Sequence, residues 1–221
     1  AGRIWMDKDS FLAPFGHFNE DYRFVINFLR DPKIAKATFH DGMNEKVLLE
    51  MYAEYLKYGF GWIGFHNGKR AGFVILQTIS WIPLVYAIHG GIDPKLYGTG
   101  RHSLKVFDFA QHYAFEEKLA TKVEGYICNH SNNLLSGYFK RGGMTKECEV
   151  RDRISIDGSL YPLQIYGITN AEYHSLKEKD HGRRKQTITA TPTKPLRNGT
   201  GTNKGPRGSG GKKKSRVGKR R

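Results

Sequence analysis

The chain has 221 residues, with 36 Lys and Arg against 21 Asp and Glu, a formal charge of +15 and two cysteines. That length suits one well-buried domain and is short for two. Two isolated thiols exclude a disulfide framework and a zinc-ligand pattern, and no run reaches the roughly eighteen apolar residues that a membrane-spanning helix needs.

Taken in chain order, the sequence opens with a candidate strand near Ile4 and no charged start followed by an apolar core, so a secretory signal is not expected and a reduced, cytoplasmic setting is the default. Asn19 can cap a helix that places Tyr22, Val25, Ile26 and Leu29 on one face and stops at Asp31-Pro32. A second helix fits "NEKVLLEMYAEYLKYG", with Val47, Leu48, Met51, Tyr55 and Leu56 on one face and Gly59 as terminator. "FGWIGFHNGKRAGFVILQT" reads as two strands around an Asn67-Gly68 turn, because Asn-Gly supplies the positive φ angles of a two-residue hairpin. "PLVYAIHGGI" is the next strand, and after a Gly-rich bend Leu104, Phe107, Phe109, Ala110, Tyr113 and Ala114 mark a helix. "KVEGYICN" is a strand, "NNLLSGYFKRGG" a short helix, and "ECEVRDRISIDGSLYPLQIYGI" two strands joined at Asp157-Gly158. The fold class expected is α+β, a mixed and mostly antiparallel sheet flanked by helices.

The last segment carries the charge. Residues 182–221 hold 14 Lys and Arg and no acid, which leaves 22 basic and 21 acidic residues in the other 181. With no aromatic and few aliphatic side chains, this segment cannot bury enough apolar surface to offset the entropy of ordering and is expected to be a disordered basic tail. The division expected is therefore 1–181 as the folded domain and 182–221 as the tail. Such a tail neutralises the phosphates of a nucleic acid or another polyanion by counterion release; a solubilising role is the other reading.

The bend "KLYGTG" between a strand and a helix suggests a ligand. The backbone N–H groups of Tyr97, Gly98, Thr99, Gly100 and Arg101 would lie at a helix amino end without intrahelical partners, a nest for phosphate aided by the helix dipole. Gly98 and Gly100 lack the Cβ that would hold a phosphate away. Neither a P-loop nor the dinucleotide fingerprint is met.

On these residues, and on the order of elements, the chain resembles the GNAT superfamily of N-acetyltransferases. Its signature, Q/R-x-x-G-x-G/A after the fourth strand, is matched by Lys95, Gly98 and Gly100, with Lys in the Q/R place. A second signature, Asn after the fifth strand, an aromatic seven residues on and Gly-Phe four beyond, is matched by Asn132, Phe139, Gly143 and Met144. The resemblance covers about residues 10–170, and its motifs lie between 88 and 144.

The resemblance implies acetyl-CoA as cosubstrate, seated where the fourth and fifth strands splay. Its pantetheine would pair with the backbone of Gly90, Gly91 and Ile92, its pyrophosphate would lie on Leu96 to Arg101, and Asn132 would hold the pantetheine arm. An amine of a protein, peptide or small molecule would attack the thioester directly. The family places a Tyr, the acid for the departing thiolate, where this chain has Phe139; Tyr138, one residue away, is the candidate acid. For the base, where many members have Glu, the fourth strand offers His89, whose other reading is a hydrogen-bonded strand histidine. Trp62, Trp81 and Tyr86 read as core or rim aromatics. Two functions stay open: an acetyltransferase, and a catalytically silent binding or structural protein of the same fold. The second has a looser resemblance to GNAT-like internal virion proteins of tailed phages, in which a basic tail would meet nucleic acid.

Overall fold

A computed structural model describes residues 3–16, 19–37, 40, 42–96, 102–128, 133–156 and 158–189 of the chain. Its centre is one sheet of eight strands: β1 (Ile4–Trp5), β2 (Ser10–Pro14), β3 (Phe60–His66), β4 (Lys69–Trp81), β5 (Leu84–Ile92), β6 (Lys122–Cys128), β7 (Thr145–Ile156) and β8 (Ser159–Thr169). The spatial order is β1-β2-β3-β4-β5-β6-β8-β7. Every neighbouring pair is antiparallel except β5 and β6, which are parallel. The α+β class expected from the sequence is the class observed.

The hairpin between β3 and β4 turns at Asn67 (φ 49°) and Gly68 (φ 73°), the paired left-handed residues of a tight turn that follows the strands' own twist. Helices α1 (Asn19–Arg30), α2 (Pro32–Ala37) and α3 (Glu45–Lys57) pack on one face of the sheet. Helix α4 (His102–His112), prolonged by a π-helical turn at Tyr113–Glu117, and α5 (Asn133–Arg141) pack on the other. Strand alternation separates two cores. Ile63, Phe73 and Ile75 meet Val25, Ile26, Leu29 and Leu48 on the first face. Val74, Leu76, Tyr86 and Val123 meet Phe107, Ala110 and Phe115 on the second.

Four local expectations change. Ser10–Pro14 is a strand: Pro14, which argues against a central strand, sits at its end, where the loss of one donor is tolerated. Asp31-Pro32 does stop α1, but Pro32 then opens α2, since the first helical position needs no N–H and Asp31 O accepts from Ile34 and Ala35. On α3 the buried residues are Leu48, Tyr52 and Leu56 while Val47 is 44% exposed, so the face is turned toward Tyr52. Asn44 caps that helix through Oδ1, 3.0 Å from the Val47 N–H that donates to it.

The fourth change concerns the carboxyl end. The chain divides into a unit Ala1–Gly182 and a unit Arg183–Arg221. A helix, α6 (Asn170–Thr189), begins directly after β8 and continues past Gly182, where the composition suggested that order would cease. Pro192 is the first proline after β8, and Arg183, Arg184, Lys185 and Gln186 are strong helix formers that outweigh one glycine. Residues 190–221 lie outside the described residues. Among the described residues no helix is long and apolar enough to cross a membrane.

Candidate active site at the strand fork

Strands β5 and β6 pair at only three positions, Val85 with Lys122, Tyr86 with Val123 and Ala87 with Glu124. Beyond them β5 continues from Ile88 to Ile92 with β4 as its strand neighbour, and β6 continues from Gly125 to Cys128 with β8 as its strand neighbour. The two strands diverge into a fork whose inner edges carry backbone groups that no strand pairs. Such edges are ready to bond an extended ligand. Gly125 shows how the fork is held open. A Cβ there would stand 2.5 Å from the Phe139 ring, which lies directly over the β6 backbone.

Gly90, Gly91 and Ile92 form the free β5 edge of the fork. Gly91 also has a packing reason to be glycine, because its missing side chain makes room for the Phe28 ring of α1. The chain then leaves through a 3-10 turn, Pro94–Leu96. There the Lys95 N–H donates to Asp93 Oδ1 (2.9 Å) and the Leu96 N–H to Asp93 O (2.8 Å), so the turn uses these two donors itself. Tyr97, Gly98, Thr99, Gly100, Arg101 and Asn132 lie outside the described residues.

His89 points to the face of α1–α3. Its Nε2 is 2.8 Å from Gln77 Oε1, and its ring stacks on Tyr55 of α3 with centroids 4.6 Å apart. Burial, with a smaller contribution from His40, lowers its pKa from 6.5 to about 4, so the ring is neutral near pH 7. The tautomer that donates from Nε2 to Gln77 leaves Nδ1 as its acceptor. Tyr138 lies on the opposite face, edge-on to Phe107 of α4 at 5.0 Å between centroids. Phe139 is buried against Phe107, Tyr166 and Gly125. His89 and Tyr138 therefore flank the sheet from opposite sides.

Beside His89 the same face carries a polar group that runs from the paired stretch of β6 into the fork. Tyr126 OH donates to Glu124 Oε2 (2.8 Å), and Lys122 Nζ lies 2.9 Å from Glu124 Oε1 and 2.6 Å from Glu147 Oε2 of β7. Burial, then the hydrogen bond to Glu124, raises the Tyr126 pKa and keeps its hydroxyl protonated.

Neither a protein-family profile nor a curated protein sequence matches the chain. Solved structures do. A spermidine N-acetyltransferase from Vibrio cholerae, in complex with CoA and spermine, superposes with a TM-score of 0.65 at 18% identity over 76% of this chain and 99% of that one. A probable acetyltransferase gives 0.62 at 14% identity over 77% and 98%. The Vibrio cholerae enzyme in complex with manganese ions gives 0.61 at 17% identity over 77% and 98%. The fold is the GNAT N-acetyltransferase fold.

On the GNAT fold, the described motif residues fall beside the fork: Lys95 lies in the turn after β5, and Phe139 packs over Gly125 of β6. Gly143, with φ 84°, terminates α5, where the Gly142 and Met144 N–H groups donate to Tyr138 O and Phe139 O. Trp62 and Tyr86 are core, whereas Trp81 is 65% exposed at the β4–β5 hairpin. The motifs did not point to Tyr55, Gln77, Lys122, Glu124, Tyr126 or Glu147. For three of them a signal was present: "KVEGYIC" alternates polar and apolar, which puts Lys122, Glu124 and Tyr126 on one face of a strand. Tyr55, Gln77 and Glu147 meet that face only through sheet order and helix packing, which no local pattern contains.

Proposed function

We propose that the protein is an N-acetyltransferase that binds acetyl-CoA in the β5–β6 fork and transfers its acetyl group to an amine. The observation that carries this reading is the fork, an unpaired β5 edge at Ile88–Ile92 inside a GNAT fold. Pantetheine, with amides of its own, suits such an edge as a strand would. Gly90, Gly91 and Ile92 are the backbone partners; since the Lys95 and Leu96 N–H groups are used within the turn, the Lys95 ammonium and the backbone of Tyr97 to Arg101 hold the pyrophosphate, with Asn132 on the pantetheine arm. The neighbouring enzyme solved with CoA and spermine supports both the cosubstrate and an amine acceptor.

In the reaction the amine nitrogen attacks the thioester carbonyl, the C–S bond breaks, the nitrogen loses a proton and the thiolate gains one. A strand N–H polarises the carbonyl. His89 is the acceptor for the amine's proton through Nδ1, and Tyr138 the donor to the thiolate. A neutral imidazole with a lowered pKa is a weak base, so His89 works on amines that arrive partly deprotonated.

A second reading is favoured by Phe139, a buried ring where the family's acid would stand. It makes the chain a silent acyl-CoA-binding protein, whose basic segment 182–221 holds nucleic acid. That segment's polyanion binding is proposed under either reading. Calorimetry of the full chain with acetyl-CoA, paired with thiol release in the presence of amines, tests the proposal. Wild type binds and Gly100→Val does not; retained affinity in the variant removes the bend from the site. Binding without thiol release from any amine supports the silent reading.

A further inference from the structure

The end of β5 away from the fork carries an apolar surface that the acetyl-CoA site does not use. Among the described residues the three most exposed large apolar side chains are Ile82 at 94%, Leu119 at 76% and Trp81 at 65%, and they stand together. Trp81 pairs with Leu84 across the β4–β5 hairpin, whose tip is Ile82-Pro83. The loop of Leu119 is tied to the same place, because the Thr121 N–H and hydroxyl both donate to Leu84 O at 2.8 Å. On the other flank Tyr58, at the end of α3 and 49% exposed, sets its ring edge-on to Trp81 at 6.5 Å between centroids.

A turn is served by Gly, Pro or polar residues and gives no reason for Trp81 and Ile82 to face water. Leu119 makes the point more sharply. Its φ of 54° is the left-handed conformation that Gly or Asn adopts most easily, and a leucine there accepts backbone strain to present an apolar side chain to solvent. Folding gains little from side chains this exposed, so their use lies in an encounter.

Size and charge decide what is met. The hairpin tip, one loop residue and one ring expose on the order of several hundred Å² together, short of the roughly 800 Å² per partner of a standard protein interface. A few apolar side chains entering a lipid headgroup layer need no matching surface, and Trp beside Tyr suits the boundary between headgroups and hydrocarbon. At the rim, Lys57 Nζ lies 4.8 Å from the centre of the Tyr58 ring and Lys118 Nζ 4.3 Å from that of Phe60, ammonium groups on stems that can reach lipid phosphates. The acids on these segments are Glu54, 4.0 Å from Lys57, and Glu116 and Glu117, so the patch itself is near neutral. Attraction comes from residues 182–221, whose 14 Lys and Arg and no acid complement the negative surface potential of anionic lipid. An apolar wedge and a polybasic segment are the two signals that stable surface attachment takes.

We propose that the β4–β5 hairpin tip, with Leu119 and Tyr58, is a membrane-contact surface that seats the protein on an anionic lipid bilayer, Trp81, Ile82 and Leu119 entering the headgroup layer. The contact lies on the surface and requires no spanning segment. Because the fork opens at the opposite end of β5, acetyl-CoA binding continues on the membrane, and the inference stands whether or not acetyl transfer occurs.

Flotation of the full chain with vesicles of phosphatidylcholine containing about one-third phosphatidylglycerol, at low and high salt, tests it. Wild type floats, retains part of its binding at high salt because the apolar contribution is not screened, and binds phosphatidylcholine vesicles at least about tenfold more weakly. Ile82→Ser lowers the partition coefficient about tenfold, and Leu119→Asn, which also relieves the left-handed strain, about threefold. Neither lowers the melting temperature or the affinity for acetyl-CoA. Trp81 emission moves to the blue with vesicles, and Trp81→Phe abolishes the change. Equal binding by wild type and Ile82→Ser at both salts overturns the proposal and leaves attachment to the basic segment alone; a blue shift that survives Trp81→Phe overturns it by putting the contact elsewhere. Absence of binding to the anionic vesicles overturns it as well, and a wild-type dimer that Ile82→Ser dissociates would then assign the patch to a second copy of the chain.

Discussion

The two edges of β5 differ more than any other pair of regions in the sheet. On one side β4 accompanies it from Trp81–Leu84 to Gly72–Ile92; on the other β6 accompanies it for three residues and then departs. The strand's composition does not explain this, since Ile88 to Ile92 present the same backbone to both sides. The neighbours do. Gly72 lets the β4 backbone close on Gly91, whose carbonyl oxygen would lie 2.6 Å from a Cβ at that position. On the far side Phe139 lies over Gly125, and β6 turns toward β8. A sheet can be rigid along one edge of a strand and available to a ligand along the other.

That comparison can be broken at the closed edge first. Gly72→Ala meets backbone that cannot rotate away, and urea unfolding should show a loss of about 3 kcal/mol together with weakened acetyl-CoA binding. Gly125→Ala on the open edge meets the Phe139 ring, which can move, so the loss should be nearer about 2 kcal/mol. Adding Phe139→Leu should recover part of it, and strict additivity of the two changes would show that the ring does not hold the fork.

Acid should loosen the helical layer beside the fork. Burial lowers the pKa of both His40 and His89 from 6.5 to about 4. The unfolded chain therefore binds these protons more readily, and stability is full above about pH 6.5 and falls toward pH 4. Each imidazole is expected to contribute about 1 to 2 kcal/mol of that fall, after allowance for their coupling and for the partial exposure of His89. Unfolding of His89→Gln across this window should show a shallower slope; the same slope as wild type would assign the acid sensitivity elsewhere.

Two smaller effects sharpen the functional side. Tyr138→Phe should lower kcat about tenfold, near 1.4 kcal/mol, with little change in acetyl-CoA affinity. An unaltered kcat assigns the thiolate's proton to water or another group. Removal of residues 190–221, which takes away eleven of the tail's positive charges, should change the unfolding free energy by less than about 0.5 kcal/mol. It should also remove most affinity for random duplex DNA, measured at two salt concentrations; full retention would place the basic surface in the folded unit.

Much of this was legible locally. Asn67-Gly68 determines a hairpin because two left-handed residues in succession admit few alternatives, and Gly143 with Met144 marks the end of α5 through the same backbone requirement. Strand β5 and helix α4 flank the bend as the sequence suggested, while Gly98 and Gly100 lie outside the described residues. The helix after β8 was not legible, because its first turns look like any polar segment until Tyr173 is found buried against Phe115. Pro32 shows a related limit: it stops α1 as the sequence indicated, but only the structure shows that it also opens α2.

The sequence by itself determined the alternation that places Lys122, Glu124 and Tyr126 on one strand face, the glycines that permit close backbone approach, and the separation of a nearly neutral domain from a basic end. These follow from periods of two and 3.6 residues and from charge, which are properties of short stretches. Only the tertiary structure decided that β6 leaves β5 after Glu124, that Glu147 comes from β7 across Gly167 to meet Lys122, and that His89 is stacked on Tyr55 and hydrogen-bonded to Gln77. Each of those joins residues between 12 and 37 positions apart in the chain. Contacts of that kind are created by sheet order and burial, and no local pattern specifies them.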